Sequence, residues 1–210
     1  MRALGRFTLL VLFSLSLLAG PASGGPTVLD QPDPRAILPL VSRSGHLLKY
    51  GTGVVVARDT LLTAEHVLSE TVEILLPGAP ATGQPACRTQ FAGLAVIKAT
   101  LPAGTPQYRL TFRAPSVGEM VTVAGYPLRK WRVSTGRVTR ILQTANLSGR
   151  MVAAPMMALE PAMDYGASGS PVLDRAGLVI GIAVASNQED NYTVAFPVAS
   201  GLRSCRAFVK

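Results

Sequence analysis

Two stretches of this sequence set a reactive side chain on a turn. Along Gly51-Thr52-Gly53-Val54-Val55-Val56-Ala57-Arg58-Asp59-Thr60-Leu61-Leu62-Thr63-Ala64-Glu65-His66-Val67-Leu68 the pattern predicts a strand, a turn at Arg58-Asp59, a second strand, and His66 on the turn after it. Farther on, Asp164-Tyr165-Gly166-Ala167-Ser168-Gly169-Ser170-Pro171-Val172-Leu173 puts Ser168 in a glycine-flanked turn ahead of another strand. Glycine permits positive φ there and leaves the hydroxyl and nearby amides uncovered. A serine is a poor nucleophile until a base takes its proton, and acyl transfer also needs donors aimed at the developing oxyanion. His66 is the candidate base, and the N–H groups of Gly166 and Ser168 are the candidate oxyanion donors. Either turn alone would be ordinary; together they point to acyl transfer.

The ordered set of motifs resembles the trypsin-like (chymotrypsin-fold) serine peptidases, and among them the protease domain of the HtrA family. It comprises Thr63-Ala64-Glu65-His66-Val67, Val117-Gly118-Glu119 through Ala124-Gly125-Tyr126-Pro127, Ser134-Thr135-Gly136-Arg137-Val138, Gly166 to Pro171, Gly177-Leu178-Val179-Ile180-Gly181 and Ala195-Phe196-Pro197-Val198. The resemblance implies an all-β fold of two antiparallel β-barrels, with His66 from the first, Ser168 from the second and a cleft between them. It implies a peptide or protein substrate, His66 as base and then acid, and an acyl-enzyme on Ser168. Family members with PDZ modules carry them after the protease unit, and the resemblance here stops at that unit. No cofactor is implied.

One departure concerns the third member of the triad. The family opens a strand with Asp-Leu-Ala-Val-Leu, and here the matching segment is Gly93-Leu94-Ala95-Val96-Ile97, so Gly93 stands at the aspartate position. That acid fixes the histidine tautomer and stabilises the imidazolium. Among the 12 acidic residues Glu65 adjoins His66, while Asp164, Glu119 and others are not placed by sequence, and the third member stays open. The expectation is a slow enzyme whose activity rises toward high pH and which Gly93→Asp would speed. The alternative is a catalytically silent relative that binds peptides or proteins in the cleft. By the same resemblance the base of the specificity pocket falls at Ala162, next to Met163; without a carboxylate there, it favours small or medium apolar side chains.

The elements that must position these residues follow from composition. The chain has 210 residues, 48% apolar and 15% charged, with 20 Gly and 16 Pro, which suits many short strands around a real core and excludes disorder as the dominant state. Strand-like runs recur at Gly53–Ala57, Thr71–Leu76, Leu94–Ile97 and Met120–Ala124, and Val198–Val209 is read as a short C-terminal helix. No internal repeat is visible. The expected layout is a signal peptide over 1–24, an exposed arm over 25–35, a first barrel over 36–104 holding His66, and a second barrel with the C-terminal segment over 105–210 holding Ser168.

The apolar run from Phe7 to Gly20 follows Arg2 and Arg6 and precedes small residues, which reads as a cleaved export signal rather than an anchor, with no membrane span left afterwards. Removing Arg2 and Arg6 from the 20 basic residues leaves 18 against 12 acidic ones, net +6. The surplus is diffuse. Its densest cluster is Arg129, Lys130 and Arg132, and no nucleic-acid motif accompanies it, so no nucleic-acid partner is expected. Oligomeric state is not readable. In a secreted or periplasmic setting Cys87 and Cys205 are expected to form one disulfide; a zinc site with His46 and His66 is the alternative, although the four residues lack close paired spacing.

Overall fold

The computed structural model describes residues 31–89, 93–147 and 150–209. Strands β1 (Ile37–Ser44), β2 (Leu47–Ala57), β3 (Thr60–Ala64), β4 (Val72–Ile74), β5 (Ala81–Arg88) and β6 (Leu94–Ala99) close into one barrel in the order β1-β2-β3-β6-β5-β4. Strands β7 (Met120–Gly125), β8 (Arg132–Leu147), β9 (Arg150–Glu160), β10 (Pro171–Leu173), β11 (Val179–Asn187) and β12 (Tyr192–Pro197) close the second, in the order β10-β11-β12-β9-β8-β7. All pairings between these strands are antiparallel. Numbered within its own barrel, each set has the same cyclic order. The expected double-barrel fold is therefore present, and closure leaves neither sheet with a long open edge.

Two strands of the first barrel are buried on both faces. All five residues of β3 are buried, as are Leu94 to Ile97 of β6. One face of each fills the first barrel and the other meets the second. The core of the first barrel accordingly runs on into Ile182 and Val184 of β11 and Phe196 of β12. A smaller core, including Val121, Val138, Met157, Leu159 and Ile180, fills the second barrel.

The C-terminal segment forms one α-helical turn, α1 (Val198–Gly201), and then a 3₁₀ stretch, Arg203–Val209. Within that stretch Cys205 is bonded to Cys87 on β5, which ties the end of the second half to the first barrel and excludes the zinc alternative. Of the N-terminal arm, Pro32 is buried and the Asp33 amide donates to the Tyr108 hydroxyl at 2.8 Å, so this end of the arm is attached rather than free. The segment read as a signal peptide, 1–24, and arm residues 25–30 lie outside the described residues. Among the described residues no helix is long and apolar enough to cross a membrane.

Candidate active site

His66 leaves β3 on a single 3₁₀ turn, Glu65–Val67. Three contacts fix that turn. Val67 is buried, its carbonyl accepts a hydrogen bond from the buried Ser42 hydroxyl, and the Glu65 amide donates to the Gly93 carbonyl at 2.7 Å. Glu65 itself turns to Arg88, with 3.4 Å between carboxylate and guanidinium. The imidazole is exposed on the cleft side, while protein around the rest of it removes water. That desolvation holds its pKa below the ordinary histidine value; the Glu65 charge opposes the shift and the Lys49 ammonium adds to it.

Ser168 is half-buried on the turn before β10 and shares one cleft with His66, a space of about 530 Å³. Its hydroxyl donates to the Val184 carbonyl at 3.5 Å, a long bond that leaves Oγ available. Among the described residues no hydrogen bond joins Ser168 to His66. In unliganded sites such bonds are often long and tighten only when substrate binds.

The turn itself is held from several sides. Gly166 has φ +94°, and a Cβ there would fall 2.8 Å from the Tyr126 carbonyl oxygen, so conformation and space both require glycine. The Tyr165 carbonyl accepts from the Leu128 amide at 2.7 Å and the Ala167 carbonyl from the Ser170 amide at 2.9 Å. In a trans peptide C=O and N–H point opposite ways, so these bonds turn the amides of Gly166 and Ser168 away from both partners. Neither amide has a protein acceptor among the described residues. Two unpaired amides beside a serine hydroxyl are what an oxyanion hole requires.

Gly93 lies where the sequence puts it, beside the His66 turn, but with φ +62°. A Cβ built there points at the second barrel and would fall 2.8 Å from Cε2 of Phe196, which is fully buried. The expectation that Gly93→Asp speeds the enzyme gives way on this point: the space for the side chain is already filled by a phenyl ring. Other acids are engaged elsewhere. Glu119 and Asp174 share Arg113, Asp59 pairs with Lys98 at 2.9 Å, and Asp164 lines the cleft 3.8 Å from Arg132. Among the described residues no carboxylate pairs with His66.

Of the two residues expected at the specificity pocket, Met163 is buried and lines the cleft, while Ala162 lies beside it with its amide donating to the Asn191 side chain at 3.2 Å. Met163 is held by two bonds that the sequence did not announce. Its amide donates to the buried Thr193 hydroxyl at 3.0 Å and its carbonyl accepts from Gln188 Nε2 at 3.0 Å. Leu128, Thr193 and Gln188 all line the cleft, on loops or strands distant from Ser168 in sequence, and no local motif marks them.

Residues 51–182 match the trypsin-like peptidase domain family, well over half of the 210-residue chain, and the chain belongs to that family. Among solved structures, the active form of the Rv3671c protease from M. tuberculosis has a TM-score of 0.75 at 19% identity, over 96% of this chain and 94% of that one. The HtrA-type protease AlgW solved with a tripeptide gives 0.71 at 22% identity, over 84% of this chain and 60% of its own. The serine endoprotease from Yersinia pestis gives 0.64 at 20% identity, over 81% and 64%. This chain thus spans less than two thirds of the length of the last two. At such identities the likeness establishes the fold. No curated protein matches the sequence.

Proposed function

We propose that this protein is an exported serine endopeptidase working through a Ser168–His66 dyad. The observation that carries the reading is the meeting, in one cleft, of a serine hydroxyl held only by a long bond, an imidazole whose pKa desolvation lowers and two unpaired amides. Ser168 Oγ would attack the scissile carbonyl carbon as its proton passes to His66. The carbonyl oxygen, now an anion, would be met by the amides of Gly166 and Ser168. His66 would then protonate the leaving amine as the C–N bond breaks, leaving an acyl-enzyme that water hydrolyses by the same steps.

The buried part of the cleft wall, Met163, Ala167, Ala183, Val184 and Thr193, is uncharged, and the carboxylate that also lines the cleft, Asp164, lies 3.8 Å from Arg132, which favours small or medium apolar side chains at the cleaved bond over Arg or Lys. Export is supported by the basic start, the apolar run and the small residues that follow it. The test is reaction of the folded protein with a fluorophosphonate probe. Labelling of Ser168 that disappears in Ser168→Ala, together with peptide hydrolysis lost in the same variant, is the expected result; hydrolysis surviving in clean Ser168→Ala protein would refute it.

A second reading, a silent protease fold that binds peptides in the cleft, has one specific observation in its favour. Phe196 occupies the space into which a side chain at position 93 would project. Tight binding of peptides by unmodified protein without labelling or cleavage would select it.

A further inference from the structure

Thr52 sits on β2 of the first barrel, fully buried, and most of its hydrogen bonds leave that barrel. Its amide donates to the Ser168 carbonyl at 2.8 Å, and its hydroxyl donates to the Gly166 carbonyl at 3.1 Å while accepting from the Tyr126 amide at 3.1 Å. Its own carbonyl accepts from the Thr63 hydroxyl, three residues before His66, at 2.7 Å. The direction of the hydroxyl is fixed by chemistry: an amide can only donate to it, and a carbonyl can only accept from it. Valine would fill the same space and lack both bonds.

The bonds of this hydroxyl bracket the Tyr165–Gly166 peptide, whose N–H is the oxyanion donor: one holds the next peptide through the Gly166 carbonyl, the other the peptide that opens the loop at Tyr126. Glycine rotates more freely than any other residue, and the Gly166 carbonyl is the point that Thr52 ties down. On the other side, the Gly166 amide is aimed by the Tyr165 carbonyl, which the Leu128 amide holds, and Leu128 belongs to the short loop whose first amide, Tyr126, bonds to Thr52. The packing leaves little latitude: a Cβ at Gly169, next to the serine, would fall 1.9 Å from the Thr52 carbonyl oxygen.

We propose that Thr52 is a positioning residue of the acyl-transfer site, the hydroxyl by which the first barrel locks the nucleophile turn of the second with its two amides free. The proposal rests on the serine-peptidase reading for its catalytic consequence, and on geometry alone for the lock. Thr52 touches no reacting atom. Its effect is on the oxyanion donors, so it belongs to the rate of acylation rather than to substrate binding.

The test compares full-length wild type, Thr52→Val and Thr52→Ser by the rate of Ser168 labelling with a fluorophosphonate, by kcat and KM on a peptide, and by amide hydrogen exchange. Misplacing an oxyanion donor is expected to slow labelling and kcat by at least about tenfold in Thr52→Val, with KM little changed. Thr52→Ser, which keeps the hydroxyl, should recover most of the loss; a merely structural role for the methyl group would not give that rescue. Exchange should quicken in 126–129 and 165–170 and not in β2 or β3. Unchanged labelling in Thr52→Val, or a loss that serine does not restore, overturns the proposal. Should wild type itself resist the probe, the peptidase reading fails separately and exchange decides the lock: unchanged protection of 165–170 then overturns it. If the valine variant does not fold, Thr52→Ala removes the same hydroxyl without adding bulk and takes its place.

Discussion

At Gly93 a carboxylate would have to enter space that Phe196 already fills, on a backbone conformation that favours glycine. Positive φ costs most residues about 1 to 2 kcal/mol and aspartate less, so the larger penalties are overpacking of the core, about 1 to 3 kcal/mol, and the desolvated charge. Gly93→Asp is therefore expected to lower stability by at least about 2 kcal/mol in a denaturant titration and to give no gain in kcat/KM. Adding Phe196→Ala makes room. Higher activity in the double variant than in Phe196→Ala alone would show that the position can still serve the triad, whereas a faster and equally stable Gly93→Asp single variant would contradict the packing argument. His66 gives a second prediction at this scale. Since desolvation lowers its pKa, the imidazole stays neutral to lower pH than a free histidine, and the base is already in its active form at pH 7. The acid limb of kcat/KM should thus fall below the ordinary value of about 6.5, with little rise from neutral to alkaline pH. A limb centred above 6.5, or activity that climbs steadily toward high pH as sequence alone suggested, would count against this environment.

Among the elements, the loop from Tyr126 to Lys130 carries two consecutive non-glycine residues at positive φ, Leu128 at 50° and Arg129 at 64°. This conformation turns the Leu128 amide toward the Tyr165 carbonyl, and Arg129 lies over the ring of Tyr50 at 5.1 Å, a cation–π contact that helps hold the loop on the first barrel. Leu128→Pro removes the donor and forbids the φ value. It is expected to lower kcat at least about tenfold, because the Tyr165–Gly166 peptide loses its anchor, with a smaller effect on KM. Leu128→Gly relieves strain but adds freedom to the unfolded chain, so its stability should stay within about 1 kcal/mol of wild type. Equal activity of the proline and glycine variants would detach this loop from the oxyanion donors.

For the whole molecule, the Cys87–Cys205 bond closes a span of 118 residues and links strand β5 to the last segment of the chain. Chain-entropy arguments put a loop of that size at roughly 4 to 5 kcal/mol, and measured losses of native disulfides run about 2 to 5. Replacing both cysteines with serine should shift the denaturant midpoint accordingly, and reduction of the wild type should reproduce most of the shift. A change below about 1 kcal/mol would mean that the barrel interface holds the terminus without it. That interface is large and apolar: Phe196, Val184 and Ile182 of the second barrel belong to the core of the first. The two halves are expected to unfold together rather than in separate steps.

The all-β character was legible because short apolar runs such as Leu94–Ile97, buried in β6, recur between turns, whereas the double barrel followed only from the resemblance of the motifs to trypsin-like peptidases. His66 and the Ser168 turn were legible for a related reason, since each depends on local backbone chemistry: a strand exit in one case, glycines in the other. The shared strand order of the two barrels left no trace as a repeat, because a pairing order constrains burial and not residue identity. The long strand β8 was also hidden, its mostly exposed and half-buried residues giving no steady alternation. For the two expected pocket residues, Ala162 and Met163, sequence did not show that Asn191 and Thr193, from the far end of the barrel, hold the amides of that segment. It showed glycine at position 93 but not why an acid would fail there. Which groups could do chemistry was readable along the chain, because reactivity and turn propensity belong to single residues and their neighbours. What surrounds them, Phe196 against Gly93 and Thr52 against Gly166, emerged with the folded barrels, because those contacts join residues about a hundred positions apart that barrel closure brings together.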